Sequence, residues 1–220
     1  LKVDAEALPA EAVAAIQAGK VDLNDPATTV PLLKLNSVVG VQGTFNDAGE
    51  MTQIGITCAV CHSTVDDSFA PGIGKLLSSL PFHTFNFFAL ISLPDNAEPV
   101  ANLLHVDEAT LRTVLGAWGP GKFNAGLMVD GIALRPDGSV ASNLLPAAYG
   151  LSKDIYATYT GWGDVTYWNA FVSNIEMHGL GTFNDPRLND ADNFPIATEN
   201  GFHDIKNDPD LISSNLPALL

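Results

Sequence analysis

Basic residues are scarce in this chain: ten Lys and Arg stand against 25 Asp and Glu in 220 residues, a formal net charge of −15. Nucleic acid needs a basic footprint for its phosphates, so that function class is excluded. The acidity suits solubility in a crowded compartment, and it equally suits electrostatic steering toward a basic partner protein. Cysteine is scarcer still. Cys58 and Cys61 are the only two and lie three apart, which excludes a disulfide framework. Long apolar runs are missing too: the longest, residues 76–93, is broken by Pro81, His83, Thr84 and Asn86 and reads as buried or interfacial rather than membrane-spanning. Internal repeats and low-complexity tracts are absent. The chain opens at Leu1 with no positively charged segment followed by an apolar run, and the expectation is an exported chain whose signal has been removed.

A hydrophobic content of 46% is ample for one large domain or two small ones. Residues 4–20 read as an alanine-rich helix with Leu8, Ala12, Val13 and Ile16 on one face and Gly19 as its stop, part of an N-terminal helical extension over residues 1–36. Around Pro26 and Pro31 the chain reads as loop. Strand-like runs at 38–44 and 52–56 flank the turn Asn46-Asp47-Ala48-Gly49, which predicts a hairpin. Helices are predicted at 107–116 and 165–177, and a short one at 208–214 within a loop-rich C-terminal part.

The hairpin leads into Cys58-Ala59-Val60-Cys61-His62, the C-x-x-C-H signature of covalent c-type haem attachment. Two thiols three apart on a helical turn reach the vinyl groups along one haem edge as thioethers, and the adjacent imidazole binds the iron. A redox dithiol wants a βαβ context and a zinc site wants further Cys or clustered His; neither is met. The expected cofactor is therefore one covalent haem c on Cys58, Cys61 and His62, in a periplasmic or otherwise exported protein. An iron-binding histidine usually donates its second ring nitrogen to a backbone carbonyl, and Pro71, in Ala70-Pro71-Gly72, is the candidate, with a simple turn compatible.

For the sixth iron position the residues offer Met51, Met128, Met177, His83, His105, His178 and His203, each also readable as core or surface. Met51 is too close in sequence to reach the opposite haem face easily. Met128 lies in the glycine-bounded run 126–131, and Met177 lies where a predicted helix meets Gly179-Leu180-Gly181. Trp118, Trp162, Tyr167 and Trp168 are expected near the haem or its propionates, although core packing explains them as well. Asn189, Asp190 and Asp192 offer oxygens without a recognised calcium-loop spacing and read as a solvated loop.

Residues 55–74 around the motif resemble exported bacterial cytochromes of the di-haem cytochrome c peroxidase-like group. Further resemblance lies at Trp118-Gly119-Pro120-Gly121-Lys122, Pro146-Ala147-Ala148-Tyr149-Gly150-Leu151, Tyr167-Trp168-Asn169 and Phe183-Asn184-Asp185-Pro186-Arg187. The resemblance implies Met177 as sixth ligand. His178 departs from it, since glycine is usual there, and residues 76–93 are more apolar than in such proteins, with Phe82, Phe85, Phe87 and Phe88 as core or contact surface. Relatives often continue past segments like 208–211 and 216–219 into a second haem domain. The expected fold is mainly α: a cytochrome c-like haem domain over residues 37–220 with a small β-hairpin before the motif and long loops. The expected function is one-electron transfer with a redox partner protein through His/Met-ligated iron. The alternatives are a peroxidase-like enzyme with an open or labile sixth site, and a haem-bearing subunit of a larger assembly.

Overall fold

Aspartates start many of the helical segments. A computed structural model of the chain describes residues 1–23, 25–91, 95–129, 141–151, 156–157 and 161–219. The chain forms two compact units, Leu1–Phe85 with Leu145–Ala148, and Asn86–Leu144 with Tyr149–Leu220.

In the first unit, strand β1 (Val3–Asp4) precedes helices α1 (Ala10–Gln17) and α2 (Pro26–Lys34). The expected loop around Pro26 and Pro31 is a helix. Asp25 caps it by accepting from the Ala27 amide at 2.9 Å, and Pro26 occupies the first turn, where no amide bond is lost. Strands β2 (Val41–Phe45) and β3 (Met51–Ile56) form an antiparallel hairpin in which Val41 faces Ile56. It runs into the one-turn helix α3 (Ala59–His62), after which β4 (Ser63–Val65), β5 (Ile73–Gly74) and β6 (Leu76–Ser78) follow. β1 pairs parallel with β5, and β4 pairs antiparallel with β6. Residues 1–36 thus belong to the same compact unit as the motif: Val3 and Asp4 pair with Ile73 and Gly74, and the Asp4 amide donates to the Ser37 carbonyl at 2.8 Å. One apolar cluster joins Leu33 and Val38 to Val41 and Val60, so the hairpin and α3 share a core.

The second unit contains α4 (Phe87–Ile91), α5 (Glu98–Leu103), α6 (Glu108–Trp118), the pair β7 (Lys122–Phe123) and β8 (Asn143–Leu144), α7 (Val165–Phe171), β9 (Phe183–Asn184), α8 (Pro195–Glu199) and β10 (Asp204–Ile205). β7 pairs with β8 and β9 with β10, both antiparallel. α6 starts at Asp107, whose carboxylate accepts from the Thr110 amide at 2.7 Å, and it buries Leu111, Val114, Leu115 and Trp118. α7 starts at Asp164 in the same way, accepting from the Tyr167 amide at 2.7 Å. The expected helix through 177 divides: α7 ends at Phe171, and Val172–Glu176 continues as a π-helical turn. At 208–214 the chain bends instead of forming a helix, with Asp210 accepting from the Ile212 and Ser213 amides at 2.9 Å. Of the apolar stretch 76–93, residues 92–93 lie outside the described residues; Phe82 is buried in the first unit, and Phe87 and Phe88 pack on the core of the second.

A mainly α fold is contradicted. The chain is 36% helical and 17% strand, with several small sheets, and it belongs plainly to no other class. The described sheets each have two strands, several of them two or three residues long. Among the described residues no helix is long and apolar enough to cross a membrane.

Candidate functional site

Cys58, Cys61 and His62 are brought together by α3. The His62 amide donates to the Cys58 carbonyl at 3.0 Å, closing one helical turn that spans the motif. The turn is held from below by Val60, which is buried, and by Gly40, whose φ of +76° takes the chain from α2 toward β2. A Cβ at Gly40 would overlap the Val60 backbone nitrogen, so the hairpin approaches α3 as closely as backbone allows.

Neither cysteine is joined in a disulfide. Cys58 presents its side chain to solvent, while the surrounding protein still desolvates the sulfur enough to raise the thiol above its ordinary value. Among the described residues no group of three or more His, Cys, Asp or Glu is placed to hold a metal ion.

His62 is half-buried, and burial holds its imidazole below the ordinary value, against an opposing bond to Pro146. The ring Nδ1 lies 3.1 Å from the Pro146 carbonyl. A carbonyl only accepts, so Nδ1 carries the hydrogen; in the neutral ring Nε2 then holds the lone pair that a metal would take. Sequence reasoning looked to Pro71 for this carbonyl, and the structure supplies it from Pro146, 84 residues along the chain. Pro71 is exposed in the turn before β5, where the Ala70 and Ile73 backbones bond each other. Backbone carbonyls have no signature in sequence.

Met177 and Trp168 belong to the second unit. Met177 is half-buried at the end of the π-helical turn, its amide donating to the Val172 carbonyl at 2.9 Å. His178 then takes φ +52°, and the Gly179 amide returns to the Ser173 carbonyl at 2.9 Å. Gly179 packs where a Cβ would run into the Ile212 side chain and the Ser173 carbonyl, which fixes the exit of the chain beyond Met177. Such π turns recur at functional sites because they re-aim side chains at a helix end. Trp168 packs edge-on to Tyr167 and Phe171, and its buried indole N–H has no partner among the described residues.

The other sixth-position candidates have other surroundings. Met128 is buried in the apolar core of the second unit. His105 pairs its Nε2 with Glu199 at 2.9 Å, and His83 turns its Nε2 to the Leu145 carbonyl at 3.0 Å. Met51 lies exposed on β3, and Asp130 and Gly131 beside Met128 lie outside the described residues. His203 is half-buried, with a buried Nδ1 lacking a partner among the described residues.

Two features had no clear sequence signal. Glu176, next to Met177, buries its Oε1 without a partner among the described residues, and burial pushes its carboxyl well above the usual range. Asp185 is buried and accepts from Trp162 Nε1 at 3.0 Å, Tyr167 Oη at 2.8 Å and Arg187 at 2.7 Å, while the Arg187 guanidinium lies over the Trp162 ring at 4.4 Å.

Compared with protein-family models, curated proteins and solved structures, the chain finds no match.

The donor set fits a covalently held haem. Two thiols share one turn, the adjacent imidazole has the tautomer that leaves Nε2 free, and no competing ligand cluster surrounds them among the described residues.

Proposed function

We propose that this chain is an exported c-type cytochrome, held to one haem by thioethers from Cys58 and Cys61 and to its iron by His62. The observation that carries this reading is the contact of His62 Nδ1 with the Pro146 carbonyl, beside the Cys58 and Cys61 side chains on the same turn. Bound there, the haem supplies a one-electron couple, whose potential the axial ligands and surrounding hydrogen bonds tune. The protein's part is to fix the His62 tautomer through Pro146 and to carry the sixth ligand, Met177, at the end of the π-helical turn. That role for Met177 is supported by its half-buried place and by the engagement of Met128, His83 and His105 elsewhere. The resemblance to the di-haem cytochrome c peroxidase-like group belongs to the same proposal, as do a redox partner protein and a larger assembly.

Ferric and ferrous absorption spectra test the ligand set. A low-spin spectrum with the weak ferric methionine-to-iron band, unaltered by carbon monoxide and losing that band in Met177→Ala, is expected. A high-spin ferric spectrum with ready carbon monoxide binding contradicts it. One observation favours a second reading, a peroxidase-like site: the carboxyl of Glu176 beside Met177, whose Oε1 is buried without a partner among the described residues, is a group able to handle protons. Peroxide turnover that falls at least tenfold in Glu176→Gln is the result that reading requires.

A further inference from the structure

The segment Leu145–Ala148 is a strap with neither helix nor strand of its own, and it belongs to the compact unit that carries the motif. Leu145 is buried, and three hydrogen bonds tie the strap down among the described residues. The Ala148 amide donates to the Ser79 carbonyl at 2.9 Å, His62 Nδ1 meets the Pro146 carbonyl at 3.1 Å, and His83 Nε2 meets the Leu145 carbonyl at 3.0 Å. Pro146 has no amide hydrogen with which to anchor itself. Two histidines therefore donate to consecutive carbonyls of one short segment.

These bonds close a ring. The residue before His83, Phe82, is buried and donates its amide to the Cys61 carbonyl at 2.9 Å. From the backbone of Cys61 the path runs to Phe82, through the His83 side chain to Leu145, along one peptide to Pro146, and through the His62 side chain back to α3. The carbonyl that orients His62 is thus held by the same turn that carries His62. Apart from His62 itself, His83 is the one side chain in the ring that a substitution can remove, because the remaining links are main chain. Both the Nε2–H neutral tautomer and the imidazolium of His83 donate to a carbonyl, so the link does not depend on charge.

We propose that His83 is a positioning residue for the axial ligand: it holds the strap so that the Pro146 carbonyl keeps its bond to His62 Nδ1. The inference rests on the reading of His62 as an iron ligand. A firm Nδ1–H···O=C bond raises the basicity of the imidazole and favours ferric iron, so a loosened strap raises the midpoint potential.

The test uses the full-length, matured protein and the variants His83→Ala and His83→Gln, the second keeping a side-chain N–H donor. Two quantities are measured: the midpoint potential, and hydrogen exchange of the Ala148 amide by NMR in the diamagnetic ferrous state. In His83→Ala, exchange at Ala148 quickens roughly three- to tenfold and the potential rises, while His83→Gln stays close to wild type in both. Unchanged exchange in His83→Ala, or a change of potential without a change of exchange, overturns the proposal. Should the alanine variant fail to mature, a glutamine variant with faster exchange than wild type overturns it equally. Absence of covalent haem in the wild type overturns the cytochrome reading instead, and exchange at Ala148, which needs no haem, then decides whether His83 holds the strap.

Discussion

His178 holds a backbone angle that its own Cβ resists. With φ at +52° it sits in the left-handed region, and its side chain is exposed, so no contact among the described residues compensates for the strain. Glycine adopts the angle freely but loses more chain entropy on folding. His178→Gly is expected to stabilise the protein by about 0.5 kcal/mol, read as a higher urea midpoint at unchanged slope. Asp185 is the opposite case, a residue whose hydrogen-bond partners support its charge against burial. Burial alone pushes the carboxyl up, but hydrogen bonds from Arg187, Trp162 and Tyr167 outweigh it and hold the group at about 2. The folded value lies below the unfolded one, about 3.9, so the stability this carboxylate contributes is present above about pH 4 and is lost as pH falls toward 2. Asp185→Asn keeps the shape, costs about 2–3 kcal/mol at neutral pH and flattens the acid limb of the stability profile between those values. An acid limb identical to wild type contradicts that assignment.

At the scale of elements, Gly40 links the hairpin to the turn that carries Cys58, Cys61 and His62. Gly40→Ala would drive a methyl group into the Val60 backbone at a φ that alanine resists, and the hairpin and α3 must part. The expected cost is about 3 kcal/mol or more, seen as a lowered unfolding midpoint and a reduced yield of haem-loaded protein. The hairpin was legible in sequence because its turn residues, Asn46 and Gly49, are local signals: the Asn46 carboxamide oxygen accepts from the Glu50 amide at 2.9 Å and the Gly49 amide donates to the Asn46 carbonyl at 2.8 Å. α2 was missed because Pro26 and Pro31 read as breakers, whereas Pro26 stands in the first turn behind an Asp25 cap. The π-helical turn before Met177 was read as a continuous helix, since a single wider turn leaves the apolar spacing nearly unchanged.

For the whole molecule, the difference between what could be read and what could not follows chain distance. The attachment motif is complete within five residues, and its chemistry is local. The carbonyl facing His62, the Trp162 and Tyr167 donors to Asp185 and the pairing of β1 with β5 lie apart in the chain or depend on backbone atoms, and nothing in the residue types marks them. The fold class failed for the same reason: strands of two or three residues leave no alternating pattern to detect. The acidity, too, gains a structural meaning. Asp25, Asp107, Asp164 and Asp185 cap helical segments, and Asp66, Asp190 and Asp210 close turns, so several of the 25 acids stabilise backbone amides irrespective of any partner.

Covalent attachment of the proposed haem through Cys58 and Cys61 is measured most directly by the intact mass of the denatured, purified chain together with its spectrum in alkaline pyridine. One haem retained per chain after denaturation, and lost in Cys58→Ser with Cys61→Ser, is the predicted result. A denatured chain of unmodified mass, from a host that matures c-type cytochromes, contradicts the account.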